Sequence, residues 1–513
     1  MYREPVVLGA LVRLKRAITA VVVTIVILAV LFVTARTLSW VTPAGLLNFV
    51  GGAGAQAPQV VPALREWHGA SGSFALGNGS RIVLDPASAA QLQPTAQVFQ
   101  KDLGSVTKRT LPIVTSDSTL LGDFYLAILT TDKSVGDEGY TLAIGDATLI
   151  RAPAPAGVLY GTRSVLQMLA QDGSHRHLQH GTARDWPKYK ERAFMLDAGR
   201  KFFPLSALED YVRLMAWYKL NDFHLHLNDN SFGGSYAAFR LNSDKFPGLA
   251  AKDGSYSKQD IRELQDVARA YAVTITPEID TPSHALALAQ YRPDIAAGQA
   301  LDITNPKTIT FMNSIWDEFL PWFDTTQVSI GGDEYGGDAT VYRNYINTYD
   351  DYLKSKGKTV RMWNSGNATG AGPKVHNDIT IELWDTGSSS PQDLSKSGFN
   401  IINANGSLLY IVPGPCSSGC YPDYLNSHML FDSWEPYVFD PGNAGANLAS
   451  NDPHVLGGMF SVWNDNLSNS DGAIHDRVKA ALPVMGEKMW DGAISGYGYD
   501  QFQSAVKAVG DRP

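Results

Sequence analysis

The sequence predicts an α/β protein, a (β/α)8 TIM barrel preceded by a small α+β domain. From Glu191 onward, strand-like apolar runs alternate with amphipathic helical segments. Eight such strands with crossovers in roughly three hundred residues favour a closed barrel, while a doubly wound open sheet is the structural alternative. Polar and aromatic residues follow most of these strands, at the end where a barrel carries its active site.

The region from residue 63 to residue 187 is expected to form the small α+β domain. Its strand-like runs are RIVLDP, YLAILTT, YTLAIG and TLIRAP. Residues 157–171 carry apolar side chains at helical spacing, which predicts a helix after these strands. No motif in this region indicates chemistry of its own.

Residues 188–513 are expected to form the catalytic barrel. The eight predicted strands are RAFMLDAG, FHLHLND, VTITPEID, VSIGGDE, VRMWNS, ITIELWD, NIINAN and LGGMFSVWND. Helices are predicted over residues 205–220, over 257–272 with Ser257 as the N-cap, and over 339–357 with Gly357 as the stop. The sequence shows no clear helix between the fifth and sixth strands.

The first 62 residues are expected to be a signal or membrane anchor followed by a linker. Arg13, Lys15 and Arg16 precede an apolar stretch, residues 17–35, that is about long enough to cross a bilayer as a helix. A cleaved secretory signal and an uncleaved anchor both stay open. Either alternative predicts an extracellular or cell-surface protein, secreted or held at the membrane by one N-terminal segment.

Charge and cysteine content exclude some partners and cofactors. The net charge of -9, without a basic stripe, argues against a nucleic-acid partner. The two cysteines, Cys416 and Cys420, are expected to close a small loop as a disulfide in an oxidising compartment. One CxxxC pair does not complete a tetrahedral metal site, so no metal or other cofactor is expected.

Polar and aromatic residues gather at the ends of the predicted strands, where a barrel would bring them together. They are Asp197, Arg200, His226, Asp229, Glu278, Asp280, Asp333, Glu334, Trp363, Trp384, Asn403, Asn405, Trp463 and Asp465. Any one of them is more often a capping residue than a functional one, but a whole ring of them indicates a site. Three tryptophans beside carboxylates suit a sugar, whose ring has apolar faces and hydroxyl edges.

The adjacent acids Asp333 and Glu334 follow the fourth predicted strand. Neighbouring residues of a strand point to opposite faces, so the two acids cannot easily flank one glycosidic bond unless the strand ends between them. One acid is enough when the substrate supplies its own nucleophile. A 2-acetamido sugar does so: Glu334 would protonate the leaving group while Asp333 holds the acetamido N–H.

A metal site is the competing hypothesis for the segment HLHLND. His224 and His226 lie on one face of the predicted second strand, a spacing that begins some barrel metal sites. The fifth and sixth strands, however, end in tryptophan, and His376 and His454 lie away from the strand ends. Packing of the two histidines inside the barrel is therefore the favoured interpretation.

Four segments together resemble the family 20 glycoside hydrolases, the β-N-acetylhexosaminidases and their relatives. They are RAFMLDAGRKFFP, HLHLND, PEIDTPSHA and GGDE. The segments EGYTLAIG and GVLYGTRSVLQML, from the region between residues 138 and 169, also resemble the small domain that precedes the barrel in that family. The resemblance extends over roughly residues 63–492, with the motifs in the family's order.

The resemblance implies a role for each matching residue. Glu334 would be the general acid/base and Asp333 the residue that orients the acetamido group. Substrate-binding roles would fall to Arg192 on the sugar hydroxyls, to Asp229 and His284 as a pair that tunes the acid, and to Tyr410 on the acetamido carbonyl. The aromatic pocket would consist of Trp363, Trp384 and Trp463, with Asp465 at its outer edge.

Two departures from the family pattern bear on the substrate. The common hexosaminidase pattern has an acid where this chain has Val412, and a glutamate where it has Asp465, which is shorter by about 1.5 Å of reach. Both acids usually bind outer hydroxyls of the terminal sugar. The expected activity is removal of a non-reducing-end β-linked N-acetylhexosamine from glycans. Lacto-N-biosidase-type release of a galactosyl-N-acetylglucosamine disaccharide and a non-catalytic, membrane-tethered glycan-binding protein are the alternatives.

Overall fold

The computed structural model describes residues 56–129, 132–366, 374–414, 423–492, 496 and 498–511. The predicted N-terminal membrane segment and both cysteines of the predicted disulfide lie outside the described residues. Within the described ranges, none of the helices combines the length and apolarity needed to cross a membrane.

The small domain is a seven-stranded sheet with two helices. Its elements are β1 (Glu66–Ala75), β2 (Ile82–Leu84), α1 (Ala89–Thr107), β3 (Ile113–Thr115), β4 (Phe124–Ile128), β5 (Tyr140–Ile144), β6 (Thr148–Ala152), α2 (Pro155–Gln171) and β7 (His177–Asp185). The strand order is β1-β7-β5-β6-β4-β2-β3. The four predicted strands and the predicted helix α2 are found, whereas β1, β3, β7 and α1, which contains Pro94, were not anticipated.

The end of the predicted linker belongs to this domain's core. Val60 and Val61 are buried, and the Val61 N–H donates to Oε1 of Gln167 on α2 at 2.7 Å. Composition predicted a linker here because glycine, alanine and proline dominate the preceding residues. The two valines nevertheless provide apolar surface that packs on α2.

Eight parallel strands close into a barrel, which confirms the predicted fold. They are β8 (Glu191–Asp197), β9 (Asp222–His226), β12 (Thr274–Glu278), β15 (Gln327–Ser329), β16 (Thr359–Trp363), β17 (Thr380–Leu383), β18 (Ile401–Asn403) and β20 (Val455–Val462). The short strands β10 (Asn228–Asn230), β11 (Ala237–Phe239), β13 (Ala296–Ala297), β14 (Ala300–Leu301) and β19 (Tyr410–Ile411) lie in connections. Because β20 pairs with both β18 and β8, the sheet has no open edge, and the doubly wound alternative is wrong.

Helices surround the barrel. They are α3 (Leu205–Trp217), α4 (Lys258–Ala270), α5 (Leu286–Tyr291), α6 (Pro306–Phe319), α7 (Ala339–Ser355), α8 (Pro391–Lys396), α9 (Gly406–Leu409), α10 (Ser427–Ser433), α11 (Asp471–Trp490) and α12 (Tyr499–Val509). The predicted helices α3, α4 and α7 are confirmed. Ser257 caps α4 through a reciprocal pair with Asp260, and Gly357, at φ 76°, follows α7. The connection between β16 and β17 lies partly outside the described residues.

The strand register brings polar groups to one level of the barrel. Asp197 on β8 stands beside His226 on β9, and His226 stands beside Glu278 on β12. All three positions are the last residues of their strands. The carboxyl ends of neighbouring strands therefore place an imidazole between two acids at the floor of the barrel mouth.

Candidate active site

A cavity opens at the carboxyl ends of the barrel strands. It is lined by Arg200, Phe232, Asp280, His284, Asp333, Glu334, Trp384, Tyr410, Trp463 and Asp465. Seven of the ten residues that the sequence assigned to the site are in this lining. The other three, Arg192, Asp229 and Trp363, lie elsewhere and are described below.

The turn after β15 gives the adjacent acids their orientation. The strand ends at Ser329, and Gly331, Gly332 and Glu334 then have φ values of 70°, 94° and 54°. A Cβ atom on Gly331 would lie 1.6 Å from Oδ1 of Asp280, so only glycine fits there. The strand therefore ends before the acid pair, and both acids line the cavity despite being neighbours.

Glu334 is held by an imidazole that a buried carboxylate fixes in turn. Nε2 of His284 lies 3.2 Å from Oε2 of Glu334, and Nδ1 of His284 lies 3.0 Å from Oδ1 of Asp229. The hydrogen bond with His284 lowers the pKa of Glu334. Burial alone would lower the pKa of His284, but the Asp229 carboxylate outweighs burial and raises that pKa well above its ordinary value. Glu334 thus faces an imidazolium.

Asp333 is the more buried acid of the pair. Its Oδ1 atom is buried and accepts no hydrogen bond from any of the described residues, and Nε2 of His284 is 3.8 Å away. Burial raises the pKa of Asp333 to about 7, with the neighbouring Glu334 carboxylate adding to the effect. Burial and the charge of Asp333 likewise raise the pKa of Asp280, whose Oδ1 accepts the Gly332 N–H at 3.1 Å.

The arginine that lines the cavity is Arg200. The prediction that Arg192 lies in the site and binds sugar hydroxyls is wrong. Arg192 is the second residue of β8, so it lies at the amino end of the barrel, fully buried, with Nη2 2.6 Å from Oε1 of Glu138 in the small domain. Arg200 follows the same strand at its carboxyl end. Arg192 therefore joins the two domains and is remote from the cavity.

Arg200 pairs with three acids at one side of the cavity. Its Nη1 atom lies 2.8 Å from Oδ2 of Asp229, 3.0 Å from Oδ2 of Asp197 and 3.6 Å from Oδ1 of Asp465. Its guanidinium carbon lies 5.6 Å from the centre of the Trp463 ring. The sequence placed Arg200 at a strand end without a role; it could not show that Nη1 would bind three acids.

Aromatic side chains form one wall of the cavity and the layer below it. The Trp463 ring packs at 5.7 Å against Tyr410 and at 5.7 Å against Trp363. Trp363 is fully buried beneath the cavity, and its Nε1 donates to Oε1 of Glu278 at 2.7 Å. Trp384 is fixed by a bond from its Nε1 to the Asn364 carbonyl at 3.1 Å. Two predicted pocket tryptophans therefore line the cavity and the third supports its floor.

Phe232 was missed by the sequence reasoning. It lies between β10 and β11, its side chain is 53% exposed, and its ring is 6.0 Å from the Arg200 guanidinium. The hairpin is tied to the barrel because Nε of Arg200 donates to the Asn230 carbonyl at 3.0 Å. The one available signal was a lone aromatic residue in the polar run NDNSFGGS.

The histidines of the metal hypothesis lie inside the barrel between carboxylates. His224 contacts Glu278 at 2.7 Å and Glu382 at 3.1 Å, and His226 contacts Asp229 at 2.7 Å and Glu278 at 2.9 Å. Ligand atoms of Asp197, His226 and Asp229 come within 4.8 Å of one another, which is close enough for an ion. Each of these atoms is nevertheless near an opposite charge of the protein itself.

A barrel whose mouth holds paired acids against an aromatic wall is typical of a glycoside hydrolase. The model of the glycosyl hydrolase family 20 catalytic domain matches residues 189–343 and 337–493, and the model of that family's domain 2 matches residues 57–186. The chain therefore belongs to glycosyl hydrolase family 20, as the sequence motifs predicted.

The curated relatives of this chain include a lacto-N-biosidase and several β-hexosaminidases. The chain is 28% identical over 443 residues to a lacto-N-biosidase of Bifidobacterium bifidum, a match over 80% of this chain and 37% of that protein. It is 30% identical over 405 residues to the β-hexosaminidase subunit alpha of Mus musculus, covering 70% of this chain and 71% of the relative. The chain thus spans little more than a third of the lacto-N-biosidase.

Solved structures share the fold. The β-N-acetylhexosaminidase of Streptomyces coelicolor A3(2) superposes with a TM-score of 0.75 at 22% identity, over 88% of this chain and 95% of that one. A mutant Streptomyces plicatus β-hexosaminidase in complex with the product GlcNAc gives a TM-score of 0.75 at 21% identity, over 88% and 94% of the two chains. At these identities the match concerns the fold.

Proposed function

We propose that this protein removes a non-reducing-end β-linked N-acetylhexosamine from glycans by retaining, substrate-assisted catalysis. The observation that carries the proposal is the buried Oδ1 atom of Asp333, an acceptor without a hydrogen-bond donor among the described residues, beside the acid Glu334. A buried acceptor without a partner is costly, and an acetamido N–H would supply the donor. The names of the curated relatives support this class of substrate.

In the first step, the acetamido carbonyl oxygen attacks the anomeric carbon while the bond to the leaving oxygen breaks. Glu334 donates its proton to that oxygen. Asp333 accepts the acetamido N–H and thereby aligns the carbonyl and stabilises the positive charge of the oxazolinium ring. The Tyr410 hydroxyl, on the same cavity wall, would donate to the acetamido carbonyl.

In the second step, Glu334 accepts a proton from water as the water attacks the anomeric carbon. The bond from the acetamido oxygen breaks, and the acetamide is restored. Two displacements at one carbon give a product that keeps the β configuration. His284, bonded to Asp229, stays beside Glu334 in both steps, so the same side chain can serve as acid and then as base.

Release of a galactosyl-N-acetylglucosamine disaccharide is the second candidate. Val412 is buried, 3% exposed, and contributes no polar group to the cavity, while the Asp465 carboxylate lies 3.6 Å from Arg200. The side of the cavity where relatives of the hexosaminidase pattern carry two acids thus has one acid, paired with an arginine. The match to the Bifidobacterium bifidum lacto-N-biosidase supports this alternative.

The test is a parallel assay of two nitrophenyl substrates, a β-N-acetylglucosaminide and a β-lacto-N-bioside. Cleavage of the first alone supports the main proposal, and cleavage of the second alone supports the alternative. The anomer released first, followed by NMR, should be β in either case. An α product, or turnover of neither substrate, would contradict the shared mechanism.

Export of the protein stays a proposal that rests on the N-terminal sequence. Residues 17–35 are apolar and follow a cluster of basic residues. Partition of the full-length chain between membrane and medium fractions would test it: recovery of the chain in the cytosol contradicts export.

A further inference from the structure

Carboxylates and imidazoles alternate through the interior of the barrel and end at the acid Glu334. We name this set the buried chain; its members are Glu382, His224, Glu278, His226, Asp229 and His284. From one end to the other, the successive contacts measure 3.1, 2.7, 2.9, 2.7 and 3.0 Å, and His284 then meets Glu334 at 3.2 Å. Every link is close enough for an ion pair. Hydrogen bonds form at Nε2 of His224, Nε2 of His226 and Nδ1 of His284, whereas the contacts at Nδ1 of His224 and of His226 are ion pairs without hydrogen-bond geometry.

The buried chain is set by strand register and, except for His284, which lines the cavity, it is closed to solvent. His224 and His226 point the same way from β9, and Glu278 is the residue of β12 beside His226. The side chains of Glu382, Glu278 and Asp229 are 0% exposed. Each of these three carboxylates is therefore oriented by its contacts with neighbouring side chains, the imidazoles of His224 and His226 among them.

Glu278 is the branch point of the buried chain. Its Oε2 atom lies 2.7 Å from Nε2 of His224 and 2.9 Å from Nδ1 of His226, and its Oε1 atom accepts the Trp363 Nε1–H at 2.7 Å. The His226 ring lies between two carboxylates, Glu278 at Nδ1 and Asp229 at Nε2, which favours its protonated form with Nε2–H donated to Asp229. The Asp229 carboxylate, so oriented, directs its other oxygen at His284.

Removal of the Glu278 carboxylate would undo this order one link at a time. His226 would lose one of the two carboxylates that keep its ring charged and oriented, so its hydrogen bond to Asp229 would weaken. The Asp229 carboxylate could then turn, and His284 would lose its fixed place beside Glu334. A buried carboxylate need not be connected to the acid Glu334. Glu435, for example, is buried without contact to the cavity.

We propose that Glu278 is a positioning residue for Glu334, acting through His226, Asp229 and His284. This inference rests on the proposed function, in which Glu334 protonates the leaving group. Poor leaving groups need that proton more than activated ones do. Loss of positioning should therefore show in the cleavage of a natural glycosidic linkage and much less with an activated aryl glycoside.

The experiment compares kcat/KM of Glu278→Gln on N,N′-diacetylchitobiose and on a nitrophenyl β-N-acetylglucosaminide. We expect a loss at least tenfold larger on the disaccharide than on the aryl glycoside. Glu435→Gln is the matched control: Glu435 is 5% exposed and bonded to Lys188 and Tyr189, away from the buried chain. The control should reduce both substrates by the same factor.

If Glu278→Gln does not fold, Trp363→Phe is used to test the inference in its place, because it removes the indole N–H donor to Glu278 and keeps an aromatic ring. We expect the same selective loss at smaller size. Equal losses on both substrates, or none, in the folded variant would overturn the inference. Glu334→Gln distinguishes failure of the proposed function from failure of the positioning role of Glu278. If Glu334→Gln keeps full activity, the proposed function is wrong, whatever the result for Glu278→Gln.

Discussion

Nε2 of His284 lies 3.2 Å from the Glu334 carboxylate, and the same imidazole is fixed from behind by Asp229 at 3.0 Å. This pair explains how an acid that is 48% exposed on its side chain keeps one orientation. The left-handed conformation of both residues, φ 54° at each, brings their side chains together from two separate loops.

Glu334→Gln should lower turnover by about 10²–10⁴-fold on a disaccharide, the range for loss of a general acid. The amide keeps the shape of the side chain and cannot donate a carboxylic proton. Thermal unfolding should match that of the parent chain, because the carboxylate is partly exposed. Steady-state kinetics on a disaccharide check the prediction, and near-parental turnover would refute the role.

The pH dependence should reflect the acid pair as a unit. Burial raises the pKa of Asp333 to about 7, and His284 lowers that of Glu334, so the last proton of the free pair resides on Asp333. The proposed mechanism needs this proton on Glu334, with Asp333 ionised to receive the acetamido N–H. We expect kcat/KM to fall as the pH rises through about 7, where the pair loses that proton.

Asp333→Asn should move this alkaline limb to lower pH and reduce kcat/KM for good and poor leaving groups alike. With Asp333 replaced, Glu334 is the acid left to titrate, and its pKa lies below its ordinary value. The loss spans both substrate types because the nucleophile is misaligned in each. pH profiles of kcat/KM on the two substrates measure both effects; an unshifted limb would contradict the shared proton.

The closed barrel could be predicted from the sequence because hydrophobic periodicity reveals its strands, and five cavity residues because they follow those strands: Asp333, Glu334, Trp384, Trp463 and Asp465. His284 and Tyr410 were assigned through the family resemblance alone. Arg192 was misplaced because its motif spans a whole strand, and motif matching alone does not say which end a side chain occupies. The position of Phe232 depends on the β10–β11 hairpin, and the pairing of Arg200 with Asp197, Asp229 and Asp465 depends on three separate parts of the chain. Such long-range contacts leave no periodic signal.

Phe232→Ala should raise KM for a tri- or tetrasaccharide by roughly three- to tenfold, the size of one lost aromatic contact. The ring of Phe232 is exposed and lines the cavity, so we expect it to offer a flat face to the sugar next to the terminal unit. KM for a nitrophenyl monosaccharide should stay nearly unchanged. Leu120→Ala, at a 59% exposed leucine of the small domain, is the matched control. Equal effects of Phe232→Ala on long and short substrates would contradict a role of Phe232 in binding the sugar next to the terminal unit.

The buried histidines should make stability fall at alkaline pH. Burial alone would lower the pKa of His224, but Glu382 and Glu278 outweigh burial and raise it from 6.5 to about 10. A raised pKa means that the folded state holds the proton more tightly, so the contribution to the free energy of unfolding is complete below pH 6.5 and is lost toward pH 10. His224→Gln should therefore be less stable than the parent chain near pH 6.5, with the difference shrinking toward pH 10. Urea midpoints of the two proteins across this range measure it, and a difference that grows with pH would show that His224 is buried in its neutral form.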